Sequence, residues 1–174
     1  EAERARLAPV QILSRFDQLE GEMLARFFAF LDRNETTRFV HWNMRDITYG
    51  FEAIEHRYTV LGGTPVKIPS LQRIDLARLL VEIYGTNYIE APPLDAIARL
   101  KKVSTAGLLM GMTEADAFTT GDYAGVQRSA LGKTRLLYDL LHLVHDKTLK
   151  TRANLWTMNT GRLREAVQLF DNSP

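Results

Sequence analysis

Apolar residues recur at helical rather than strand spacing along most of the chain. Leu13, Phe16, Leu24, Phe27, Phe28 and Leu31 predict a helix over 10–31, with Pro9 in its first turn, where a missing N–H does no harm. Asn34 followed by "ETT" reads as the N-cap of a second helix running to Leu61, bent near Asp46 or Gly50. "LGGTPVKIPS" ends it, with Gly62 as the residue after the C-cap and Pro65 and Pro69 preventing early resumption. Ser70 is read as the cap of a third helix, "LQRIDLARLLVEIY", which stops at Gly85. A fourth covers 93–110. Residues 111–132 are less regular, with Gly111, Gly121, Gly125 and Gly132 around short helical turns at 114–118 and 122–130. A long last helix runs from Thr134 to about Phe170, interrupted at Gly161. No strand-like alternation competes. The pattern predicts an all-α fold, a compact bundle of five to six helices with a long C-terminal helix.

Composition narrows this picture without redirecting it. A length of 174 residues suits a single helical domain over 1–174 that closes its own core. The net charge of +1 supplies no global field for nucleic acid or an anionic membrane. Cysteine is absent, which excludes disulfides and thiolate chemistry and fits a reducing compartment, so the expected localisation is cytoplasmic. No apolar run approaches the roughly 18 residues of a membrane span. The chain starts "EAERARLAPV", which reads as a processed chain or as one domain of a longer protein.

The densest chemistry lies in "FVHWNMRD", residues 39–46. On a helical wheel Val40, Met44, Ile47, Phe51, Ile54 and Tyr58 form one stripe, while His41, Arg45, Glu52 and His56 lie opposite, with Trp42 beside them. One reading is a two-faced helix with the first set buried and the polar row in water. The other is a metal site: Glu52 and His56, four apart, can reach one ion. In a straight helix His41 stands roughly 22 Å from His56 and joins only through a fold or a second subunit.

"RFVHWNMRD" resembles the end of the first helix in the Dps family of mini-ferritins, and "LGGTP" resembles that family's usual end to its second helix. The resemblance implies a ferritin-like, iron-binding and iron-oxidising protein with His41, Glu52 and His56 as ligands. It covers about 25 residues. Some fifteen residues fewer separate the two anchors here, and Ala53 and Arg57 stand where the family has a second histidine and its following acid.

Other motifs carry less. Asp139, His142 and His145 have a spacing that suits ligation, yet they lie outside or at the margin of the stripe Leu136, Leu137, Leu140, Leu141 and Val144. "SALGKT" lacks the first glycine of a phosphate loop, and Gly132 and Thr134 read as a helix break and an N-cap. "RLLYDLLH" resembles the Arg-x₆-His motif of HEPN ribonucleases, but Leu136 is apolar where that family carries a polar residue. The segment 128–164 is basic, with its charges spread around the helix, which suits a solvated helix or contact with an acidic partner better than a phosphate-tracking groove.

With no nucleophile–base pair or nucleotide loop, the reading reached is a non-catalytic helical protein–protein interaction domain, a subunit or adaptor of a larger assembly. Large apolar residues in "GLLMGMTEADAF", among them Leu108, Leu109, Met110, Met112 and Phe118, require a partner surface or an internal berth. Candidate partner-binding residues are Met112, Phe118, Tyr123, Lys147, Lys150, Arg152 and Trp156. The alternatives are the iron protein above and a helical nucleic-acid-binding module using the basic tail. No cofactor is expected outside the iron reading.

Overall fold

A computed structural model describes residues 1, 7–90, 93–100, 108–109, 111–153 and 158–171. Within these the fold is mostly helical, with eight α-helices and two small two-stranded sheets. The backbone divides into two compact units, one over residues 1–75 and the other over 76–173.

In the first unit α1 (Pro9–Ser14) and α2 (Phe16–Arg33) replace the single helix expected over 10–31. Pro9 does occupy the first turn. Arg15 departs from helical dihedrals between them, with φ −119° and ψ 17°. The stripe Leu24, Phe28 and Leu31 is buried together with Phe51 and Ile68. Phe28 stacks on Tyr58 at 4.8 Å between ring centres. At the rim, Arg57 holds Asp17 and Glu20, each at 2.6 Å.

The helix that the spacing predicts over 35–61 is largely something else. Asn34 caps the end of α2, its side-chain amide donating to the Phe30 carbonyl at 2.7 Å, and does not start a new helix. β1 (Phe39–His41) pairs in parallel with β4 (Arg73–Asp75), Phe39 opposite Arg73 and His41 opposite Asp75. β2 (Arg45–Asp46) and β3 (Tyr49–Gly50) form a small antiparallel ribbon. Helix resumes only as α3 (Phe51–Val60). The local causes are visible in the chain. Thr36, Thr37, Phe39 and Val40 are β-branched or aromatic and favour extended backbone. Asp46 then closes a turn by accepting from the Thr48 amide at 2.7 Å. A Cβ at Gly50 would lie 2.9 Å from the Asp46 carbonyl oxygen, so the turn requires glycine there. The wheel therefore fails before residue 51: Phe51 is buried, Val40, Met44 and Ile54 are half-buried, and Ile47 is 77% exposed at the ribbon's tip. The C-terminal signal holds, since Gly62 has φ +85° and Gly63 donates to the Tyr58 carbonyl at 2.9 Å.

The second unit contains α4 (Leu76–Tyr84), α5 (Pro93–Leu100), α6 (Met112–Thr119), α7 (Tyr123–His145) and α8 (Thr160–Asp171). Its core is Leu76, Leu80 and Ile83 of α4, Ile97 of α5, Leu136, Leu140 and Val144 of α7, and Leu163 and Ala166 of α8. Helix α4 starts at Leu76 because Ser70–Gln72 form one 3-10 turn and the next three residues are spent in β4. Of the helix expected over 93–110, residues 93–100 form α5; residues 101–107 and Met110 lie outside the described residues, and Leu108 and Leu109 are not helical. The long terminal helix is two helices. Asp122 caps the first by accepting from the Gly125 amide at 2.9 Å. Lys147, at φ 58°, turns the chain out of it, and the amides of Thr148 and Leu149 close on the Leu143 carbonyl. Gly132 does not break α7. Leu108 lies over it, and a Cβ there would come within 2.5 Å of the leucine's methyl group. Thr134 is likewise internal, bonding back to the Ala130 carbonyl at 2.9 Å.

Phe28, 3% exposed at the centre of the first unit, is expected to carry much of that core. Phe28→Ala should lower stability by about 3–5 kcal/mol in chemical denaturation. A loss below about 1 kcal/mol would show that this cluster is not a packed core.

Candidate functional site

The residues that dominate the sequence fall in three places. In the first unit, His41 ends β1 and is 6% exposed. Its ring meets Phe51 edge-on at 5.2 Å, and its Nδ1 accepts from the Met44 amide at 3.3 Å. That acceptor role puts the proton of the neutral ring on Nε2. Burial pushes the His41 pKa below 6.5, against the opposing pull of Asp75 and with help from Arg73 and Arg45.

Asn43 follows in a left-handed conformation, φ 55°, which a short polar side chain tolerates. Its amide donates to Asp75 Oδ1 at 3.2 Å. Arg45 then donates to Asn43 Oδ1 at 2.7 Å and pairs with Asp75 Oδ2 at 2.6 Å. Arg73 packs its guanidinium over the Phe51 ring and donates to the Ile68 carbonyl at 2.9 Å. The cluster is thus a clasp that ties the loop after β1 to the end of β4. Trp42 is half-buried beside it.

Glu52 and His56 sit on the exposed side of α3, one turn apart. His41 lies on a strand, so the helical face that grouped the three is not formed. Among the described residues no group of three or more histidines, aspartates or glutamates is placed to hold a metal ion.

At the end of α7, His145 bridges Asp146 at 2.9 Å and Asp171 of α8 at 2.8 Å. Hydrogen bonds to Asp146 and then Asp171 raise its pKa above 6.5.

The partner-binding candidates separate. Met112 is 81% and Phe118 46% exposed, whereas Tyr123 is half-buried and meets Phe118 edge-on at 5.6 Å, closing the turn between α6 and α7. Lys147, Lys150 and Arg152 are exposed beyond α7, and Trp156 lies outside the described residues. Leu108 and Leu109 find an internal berth: the buried hydroxyl of Ser129 accepts from the Leu109 amide at 2.9 Å and donates to its carbonyl at 3.2 Å.

The most coherent exposed surface was not singled out by the sequence. Arg128, Leu131, Arg135, Tyr138 and His142 are all exposed on α7. Their 3-4-3-4 spacing confines them to an arc of about 80°, opposite Leu136, Leu140 and Val144. Leu131 is 65% and Tyr138 62% exposed, and His142 packs edge-on against Tyr138 at 4.4 Å. Lys133, on the same helix, is committed to Glu114. Arg128 and Arg135 make no ion pair among the described residues. The signal was in the sequence: the wheel that buries Leu136 leaves Leu131 and Tyr138 on the far side. Leu136, 1% exposed, also explains why the Arg-x₆-His segment has an apolar residue after its arginine.

Among the described residues no helix is long and apolar enough to cross a membrane. Comparisons with protein-family models, curated proteins and solved structures return no match.

Two measurements follow from these contacts. Asp75→Ala removes the acceptor shared by Asn43 and Arg45, and should cost on the order of 2–3 kcal/mol in denaturation; a change within about 0.5 kcal/mol would mean the clasp is ornamental. The two buried-or-bridged histidines should act in opposite directions with pH. His145, raised above 6.5 in the fold, stabilises fully below 6.5, and the benefit is lost as pH rises through its folded value. His41, depressed below 6.5, makes unfolding take up a proton, so stability falls as pH drops from 6.5 toward its folded value. Melting of wild type against His145→Gln should show a wild-type advantage in acid that vanishes in base. An advantage that grows with pH would contradict the bridge.

Proposed function

We propose that the chain is a non-catalytic helical interaction domain, a subunit or adaptor, whose partner lies on the outer face of α7. The observation that carries this is the exposed pair Leu131 and Tyr138, one below and one above Arg135, with Arg128 at the end of the same stripe. Scattered apolar surface residues need no explanation, but an aligned stripe with an aromatic anchor is the form that helix recognition takes.

The charges select the partner's chemistry. A second copy seated antiparallel on this stripe would bring arginines of the two copies together, which like-charge repulsion disfavours. An amphipathic helix with apolar residues at three- and four-residue spacing and acidic flanks satisfies both features. Met112 and Phe118 are also exposed, on α6, which packs against α7.

Panning a library of helical peptides on the whole chain tests this. Enriched peptides should carry Leu or aromatic residues at helical spacing beside Asp or Glu. Arg128→Glu with Arg135→Glu, and separately Tyr138→Ala, should each weaken the selected peptides at least about tenfold. Stability should change by no more than about 0.5 kcal/mol in these variants. Binding unaffected by either change would overturn the proposal. So would a dimer in ultracentrifugation that Leu131→Glu dissociates, which would give the face to a second copy. RNA binding that weakens steeply with salt and requires Arg128 and Arg135 would give it to nucleic acid instead.

A further inference from the structure

The second unit holds a cavity of about 380 Å³ that shares no residue with the α7 stripe. Its volume lies at the lower end of the range occupied by small-molecule sites. Helix α5 and two loops line it, the loop after α4 and the one after α7, and the Arg152 amide joins the loops by donating to the Tyr88 carbonyl at 2.8 Å. Tyr88, Ile89 and Ala96 give it an apolar floor, with Tyr88 2% and Ala96 5% exposed. Burial alone pushes the Tyr88 phenol up to about 12, so it stays neutral at physiological pH.

The rim is charged and unbalanced. Among the described residues, Arg99 from the last turn of α5, Lys150 and Arg152 stand around a single carboxylate, Glu90. Glu90 pairs closely with Arg152 through one oxygen. Its other oxygen is 3.8 Å from Arg99, beyond hydrogen-bond range. The Arg99 guanidinium is therefore near an anion without bonding to it, and a guanidinium has five donors to offer. Lys150 adds a further ammonium.

We propose that this cavity binds a small organic anion with a flat apolar body, a carboxylate or a phosphate monoester. Arg99 and Lys150 clamp the anionic group, and Tyr88, Ile89 and Ala96 take the body. Arg152 holds Glu90 to one side of the mouth. Glu90 is then a competitor for the same cations, which gives the proposal a consequence that a plain surface ion-pair cluster lacks: neutralising Glu90 strengthens binding.

The test is a heteronuclear NMR titration of the whole chain with benzoate and with phenyl phosphate, using benzylamine as the cationic control. Saturable shifts at Tyr88, Ile89 and Ala96 are expected for at least one of the two anions, and the stronger of them identifies the anionic group. Benzylamine should leave these residues unmoved. Arg99→Ala and Lys150→Ala, both at exposed side chains whose loss leaves the fold intact by melting, should each weaken binding about fivefold to tenfold. Glu90→Gln should tighten it by about threefold or more. No saturation by either anion at about 10 mM would overturn the proposal. So would benzylamine binding equally well, or affinities indifferent to Arg99 and Glu90.

Discussion

Burial of one edge of α7 is the constraint on which the second unit depends. Leu136, Leu140 and Val144 are each no more than 1% exposed, and α8 packs along the same helix. With that edge fixed, each other side of α7 acquires its role by rotation. Ser129 and Gly132 face the chain that carries Leu108 and Leu109, one by hydrogen bonds to the backbone and the other by having no side chain. His145 reaches Asp171 from the last turn. What remains is an arc on which a solvated helix would ordinarily place only charged residues. Here Leu131 and Tyr138 interrupt the arginines, and this departure is why the arc is read as a docking surface.

The first unit shows a different economy. Its core sets Leu24, Leu31 and Ile68 against the rings of Phe28 and Phe51, with Tyr58 stacked at the side and His41 edge-on, and its strands are two or three residues long. Strands so short hold few backbone hydrogen bonds, so side chains must fix them. Asp75 does this for the loop after β1, accepting from a backbone amide and pairing with Arg45. The dense polar group in "HWNMRD" is explained as a structural joint, and the ferritin-like ligand set implied by the resemblance is not gathered within it.

Much of the helical content was legible because it is locally encoded. Pro9, Gly62 and Gly85 mark boundaries that the fold respects, and the helical turn expected at 114–118 lies inside α6. Other differences arise where partners distant in sequence add to local preference. Val40, Met44 and Ile47 fit helical spacing, but β1 is stabilised by residues 73–75, more than thirty positions away. Gly132 looks like a break until Leu108 is seen to occupy the space a side chain would fill. Tyr88 and Arg99 carry no local signal, since the cavity exists only where two loops meet α5. The stripe on α7 is legible in the sequence, because its periodicity is as regular as that of the buried leucines on the other side.

We propose that an acidic amphipathic helix covers the outer face of α7 in the working protein. A photo-crosslinking residue placed at Leu131, with a control at exposed Gln168 on α8, tests it most directly in cells of the native source. A heavier covalent species is expected from position 131 and not from 168, with a crosslinked peptide that is acidic and helical in pattern. Equal crosslinking from both positions, or a basic or extended peptide at 131, would contradict it.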